Sequence, residues 1–229
     1  MTVLGLSVCM LIPGVGPIVS SGYMFRRFAR ERKGHPVEDF DFNHFVEYLK
    51  IGVWPFLASL VLSLLFIPLM LVAMVPMMAG PFLEEISEKM ALILLGVGFA
   101  IYLLSFLVLM LFTIPVILRS GLMMDFKSGF SWKFISSFIK KVGWSLMLYY
   151  SLLVIISIPL SLVGYLALII GIYVVMVWVQ LAMMSLIFQH YDLFVHRGGE
   201  EIIFTDELVR DYGRPPLPKR LSPPSLPPE

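Results

Sequence analysis

Few residues in this chain have the types and spacing that chemistry needs. Asp39, Asp41 and Asn43 open like a calcium-binding loop. The sixth position is then His44 where glycine is required, and the twelfth is Lys50 where a bidentate glutamate is required. His35, His44, His190 and His196 form no His-x-x-x-His pair, so no zinc site is expected. The single cysteine, Cys9, excludes an intrachain disulfide and a multi-cysteine metal site. Leu6-Ser7-Val8-Cys9 is a poor lipoprotein cleavage box, because Val8 is too large and no basic stretch precedes it, so Cys9 is read as a lipid-facing thiol. There is no nucleophile elbow, P-loop or dinucleotide fingerprint. No catalytic residue, no metal and no cofactor is expected, and the chain is not read as an enzyme.

Two other features have chemical content. Arg26, Arg27, Arg30, Arg32 and Lys33 form the densest charge run, able to hold anionic lipid headgroups or simply to fix topology. Gln180 is the one strongly polar side chain deep in an apolar stretch. It is read as an interhelical hydrogen-bonding group, with substrate contact as the alternative. No Asp, Glu, His, Lys or Arg falls inside the apolar stretches, so proton- or sodium-coupled transport is not expected.

The elements that must carry these residues are membrane helices. The residues are 59% hydrophobic and 14% charged, and mean hydropathy is +0.89. A soluble domain carries about 25% charged residues, because much of its surface must face water. Apolar stretches long enough to cross a bilayer run at about 2–25, 51–80 and 90–118. Residues 142–188 carry no charge and are too long for one crossing, so two are expected, 142–162 and 164–188, turning near Pro159, Ser161 and Gly164. The first stretch is interrupted by Pro13-Gly14-Val15-Gly16-Pro17, which predicts a kink or a break. The fold class is therefore all-α: a polytopic transmembrane helical bundle of about five crossings within residues 1–195. A cytoplasmic segment, 196–212, and a Pro-rich disordered tail, 213–229, follow.

Sixteen of the seventeen Lys and Arg residues fall in 24–50, 119–141 and the C-terminal segment, with Lys89 the exception. The positive-inside rule makes that face cytoplasmic. With five crossings the N-terminus lies outside. The alternative is a re-entrant first segment, broken at the Pro-Gly run, with the N-terminus inside.

Each internal basic loop leads into an amphipathic stretch: Phe42, Phe45, Val46 and Leu49, then Ile135, Phe138, Ile139 and Val142. These predict two short interfacial helices, or else ordinary starts of crossings. A weak parallel repeat joins the two regions through Ser21-Gly22 and Ser120-Gly121, then Ile-Pro-Leu at 67–69 and 158–160. Gly96 to Ala100 and Ala167 to Gly171 are spaced for close helix packing.

Gly22-Tyr23-Met24-Phe25-Arg26-Arg27, then Gly34 and the acidic-aromatic run Glu38-Asp39-Phe40-Asp41-Phe42, resemble an uncharacterised prokaryotic membrane family, domain of unknown function 4013. Arg119-Ser120-Gly121 and Phe130-Ser131-Trp132-Lys133-Phe134 match its later part loosely. The chain departs in starting almost inside its first apolar stretch and in having His35-Pro36 before the acidic run. The resemblance spans about residues 5–195. It implies a multi-pass protein of a prokaryotic plasma membrane and carries no activity with it.

The functional expectation is a non-catalytic scaffold, assembly or lipid-organising component. A small passive permease or channel-like carrier is the alternative, and a membrane-embedded enzyme a distant second. The expected partners are the bilayer with its anionic headgroups and a membrane-protein partner or second copy, with no nucleic acid.

Overall fold

The computed structural model describes residues 2–36, 39–83, 87–166 and 168–210. The Pro-rich tail lies outside them. Among the described residues every regular element is helical: α1 Thr2–Met10, α2 Val15–Arg32, α3 Phe45–Leu83, α4 Glu88–Met123, α5 Phe126–Gly129, α6 Trp132–Leu166, α7 Leu168–His196 and α8 Asp206–Val209. Four of these are long and apolar enough to cross a membrane, over Phe42–Pro76, Glu88–Met123, Trp132–Leu166 and Gly171–His196.

The first apolar stretch divides at the Pro-Gly run. Gly14 sits at φ +85°, a left-handed conformation that glycine adopts without strain. A Cβ on Gly16 would lie 2.5 Å from the Cα of Met10, so the two helices meet at a tight elbow. α1 then runs back along α2. Thr2 Oγ1 donates to Asp39 at 2.8 Å, and the adjacent Phe40 ring packs edge-on against Tyr23 at 5.8 Å. The start of α1 is thus level with the middle of α2. Nine residues rise only about 14 Å, too short to cross. The geometry is that of the re-entrant alternative, and Cys9 is buried in the core rather than facing lipid.

Neither amphipathic stretch stands as a separate helix. Asp41 caps a single 3-10 turn, Phe42–His44, which passes directly into α3, and 132–142 are the first turns of α6. No glycine or proline interrupts Phe45–Ile51 or Trp132–Val142, so the helices continue into the bilayer stretch. In the second, Ile135, Phe138 and Val142 are buried in the protein, so that face turns to the core. Pro159 likewise does not end α6, which continues to Leu166. Pro-containing helices persist where neighbouring groups satisfy the freed backbone.

α3 with α4, and α6 with α7, form two arms. The shared core lies at their basic end, where Phe25, Phe134, Phe138, Phe188, Tyr191 and Phe194 are buried together with α2 among them. Phe28 stacks on Phe188 with centroids 4.2 Å apart. Further along, Leu64, Leu71, Leu92 and Leu104 of one arm, and Ile155, Leu162 and Trp178 of the other, stand exposed. In water such a surface would be untenable, whereas in lipid it is the expected exterior.

Candidate functional site

The basic face is built by α2. Arg26 and Arg30, one turn apart, are each only 3% exposed. Arg30 Nη1 donates to the Val209 carbonyl at 3.3 Å, and Arg26 reaches the Arg210 carbonyl at 3.5 Å. Arg32 pairs with Asp192 and, at 3.3 Å, with Glu201. Lys33 lies 3.9 Å from Asp206. From α4, Arg119 meets Glu200 at 3.5 Å and covers the Phe134 ring at 5.0 Å. Arg27 is exposed, and among the described residues it has no ion-pair partner. Of the five basic residues read as headgroup ligands, four are thus engaged by the protein itself.

What engages them is residues 197–210, which lie across this face as a strap. Lys141 Nζ donates to the Arg197 carbonyl at 2.9 Å, just beyond the C-terminus of α7, where a cation offsets the helix dipole. The Ile202 amide donates to the Tyr191 hydroxyl at 2.8 Å. Thr205 Oγ1 donates to the Met123 carbonyl at 2.9 Å. Ile202 and Leu208 are buried. The two acids followed by two apolar residues in Glu200-Glu201-Ile202-Ile203 were the available signal for this docking.

A second feature lies at membrane depth. A cleft of about 570 Å3 opens between the arms beside the α1–α2 elbow, lined among others by Met10, Phe56, Tyr165, Met176, Val179 and Met183. Its polar groups are largely turned inward. Ser59 donates to Phe56, Ser157 to Val154 and Ser161 to Ser157, each to a carbonyl of its own helix at 2.7–2.8 Å. Gln180 Nε2 donates to the Pro17 carbonyl at 3.1 Å and to Ser21 Oγ at 3.3 Å. The wall therefore offers apolar contact and few spare donors, which suits an apolar occupant.

The structure also buries a titratable side chain just past the predicted end of the last crossing, residue 188. α7 runs on to His196, and His190 is buried within it. His190 Nδ1 lies 2.9 Å from the Leu186 carbonyl, which can only accept, so Nδ1 donates. Nε2 is within hydrogen-bond reach of Ser145 Oγ at 3.2 Å. The pair ties α6 to α7. Among the described residues no acid orients this histidine, so the arrangement is a polar staple. Asp41 is a cap rather than a metal ligand. The amide and side-chain NH groups of Asn43 hold its carboxyl below the usual carboxylate range. Among the described residues no group of three or more His, Cys, Asp or Glu side chains is placed to hold a metal ion.

The Gly96 to Ala100 pair does not organise the packing, whereas a Cβ on Gly164 would lie 3.4 Å from the Gly171 oxygen, so α6 and α7 come close beside the second pair. Nothing lies within 4 Å of a Cβ on Gly96, and Ala167 is outside the described residues. Gly22 and Gly52 carry the closest approach instead. Their Cβ positions would lie 1.8 Å from the Tyr48 oxygen and 1.9 Å from the Ile18 oxygen. A further signal went unread: Asp41-Phe42 and Asp125-Phe126 each open a short helix with an aspartate cap at matching points of the weak repeat.

Four long apolar helices, a re-entrant elbow and a strapped basic face define a polytopic helical membrane protein. Over residues 5–173 the chain matches the family described as Protein of unknown function (DUF4013), and it belongs to that family. No curated protein and no solved structure matches it.

Proposed function

We propose that this protein is a non-catalytic, lipid-organising component of the membrane that holds an apolar lipid chain in the cleft between its arms. The observation that carries this reading is the cleft itself. It lies at membrane depth and is apolar, and Ser59, Ser157, Ser161 and Gln180 spend donors within the protein. A hydrophilic solute entering there would lose its hydration with few replacement hydrogen bonds. The exposed apolar arms fit the same role, since they offer surface to lipid, to a membrane-protein partner or to a second copy.

The distribution of basic residues supports a cytoplasmic basic face, and the family resemblance supports a prokaryotic plasma membrane. A passive carrier is the second reading. It rests on the elbow at Pro13–Pro17, because irregular backbone at membrane depth often lines a substrate path.

The test is photo-crosslinking with a phospholipid that carries a reactive group midway along its acyl chain. Label is expected on peptides containing Met176 or Val179, and Val179→Trp should abolish it by filling the cleft. Absence of label there, together with protein-dependent efflux of a small polar solute that Val179→Trp blocks, would replace this reading with the carrier.

A further inference from the structure

A cup of about 580 Å3 lies between α2 and α7, on the side of α7 away from the cleft. Gln180 lines the cleft and Gln189 lines the cup. Nine residues is two and a half turns, which sets the two side chains on opposite faces of the helix. The floor of the cup is apolar, formed by Met24, Leu181 and Phe188, and its rim is polar, formed by Arg27, Glu31 and Gln189. Leu181 and Asp192 both line it, about 16 Å apart along α7, so the cup reaches from hydrocarbon depth to headgroup level.

The charges on the rim are of both signs. Arg32 and Asp192 also line the cup, but they are bound to each other, and Arg32 to Glu201 as well. Arg27 and Glu31 remain. They are one turn apart on α2, and both are exposed. Opposite charges at this spacing commonly pair. Here, among the described residues, neither has an ion-pair partner, including the other. A purely anionic ligand would meet Glu31, and a purely cationic one would meet Arg27.

We propose that the cup binds a phospholipid whose headgroup carries a phosphate and a primary ammonium, the phosphate on Arg27 and the ammonium on Glu31. A guanidinium suits phosphate oxygens, and a carboxylate accepts from a primary ammonium, which a quaternary one cannot donate to. The lipid's chains run along Met24, Leu181 and Phe188. The proposal shares with the acyl-chain cleft only the bilayer as source of ligand, and it uses a separate surface.

The full chain would be reconstituted in nanodiscs of equal parts phosphatidylethanolamine, phosphatidylglycerol and phosphatidylcholine. Retained lipids would then be counted by native mass spectrometry. Phosphatidylethanolamine is expected to be enriched, and Arg27→Gln and Glu31→Gln are each expected to cut that enrichment about fivefold. Both residues are exposed, so the variants should keep the wild-type thermal midpoint. Val179→Trp should leave the enrichment intact, which separates failure here from failure of the cleft. Equal retention of phosphatidylglycerol, or enrichment unchanged in both variants, would overturn the proposal. Glycerophosphoethanolamine, the headgroup without chains, should not compete. Effective competition would overturn the lipid as source in favour of a soluble phosphate ester.

Discussion

Gln180 Nε2 lies 3.1 Å from the carbonyl oxygen of Pro17, and this bond ties the middle of α7 to the elbow where the first segment folds back. Ser21 Oγ accepts from the same amide at 3.3 Å. Interhelical bonds of this kind contribute about 1 kcal/mol in membranes. Gln180→Leu should therefore lower stability by about that amount. Reversible unfolding in mixed micelles measures it. A variant as stable as wild type would show that packing alone holds the elbow.

Gly22 and Gly52 let α2 and α3 touch backbone to backbone, each facing a carbonyl of the other helix. A methyl group at either position meets main chain, which cannot rotate aside. Gly22→Ala and Gly52→Ala should each cost at least the roughly 1–3 kcal/mol typical of overpacking. Loss of monodisperse protein after detergent extraction is the readout. Gly96→Ala, with open space around it, is the control and should behave as wild type.

Much of this was legible from composition and spacing. The apolar stretches located the long helices, because a bilayer demands uninterrupted length that few other structures require. The Pro13–Pro17 run marked the elbow. Whether it bends or reverses the chain was decided by Thr2, Asp39 and Phe40, whose mutual contact no periodicity encodes. Arg26 and Arg30 look like Arg27 in sequence. Their burial depends on the strap arriving from more than 170 residues away. His190 was missed because α7 runs past the last apolar residues, and its buried nitrogens are satisfied by Leu186 and Ser145.

The strap should be part of the folded unit. Leu208 is fully buried against α2 and its neighbours. Leu208→Ala should cost about 2–5 kcal/mol, the range for emptying a packed leucine site. Deleting Ser222 to Glu229, where proline leaves few donors and no apolar pattern, should leave the thermal midpoint unchanged. A large loss on that deletion would mean the tail docks as well. An unchanged midpoint in Leu208→Ala would mean the strap is an appendage.

The re-entrant elbow makes a prediction about sidedness that differs from a simple five-crossing chain. Thr2 is hydrogen-bonded to Asp39 and to the Phe40 amide, just before the first long helix begins at Phe45. The start of the chain must therefore share a face with the first basic loop. That loop in turn shares a face with Lys127 and the strap, because two helical arms separate them and each arm goes out and returns. In a Cys9→Ser background, single cysteines at Thr2 and Lys127 should both resist an impermeant thiol reagent in intact cells and react once the cells are opened. A cysteine at Lys89, at the outer turn of the first arm, should react in intact cells. Labelling at Thr2 with protection at Lys127 would restore the fifth crossing and remove the elbow. Labelling at Lys127 with protection at Lys89 would keep the elbow and invert the whole protein, against the pull of its sixteen clustered cations.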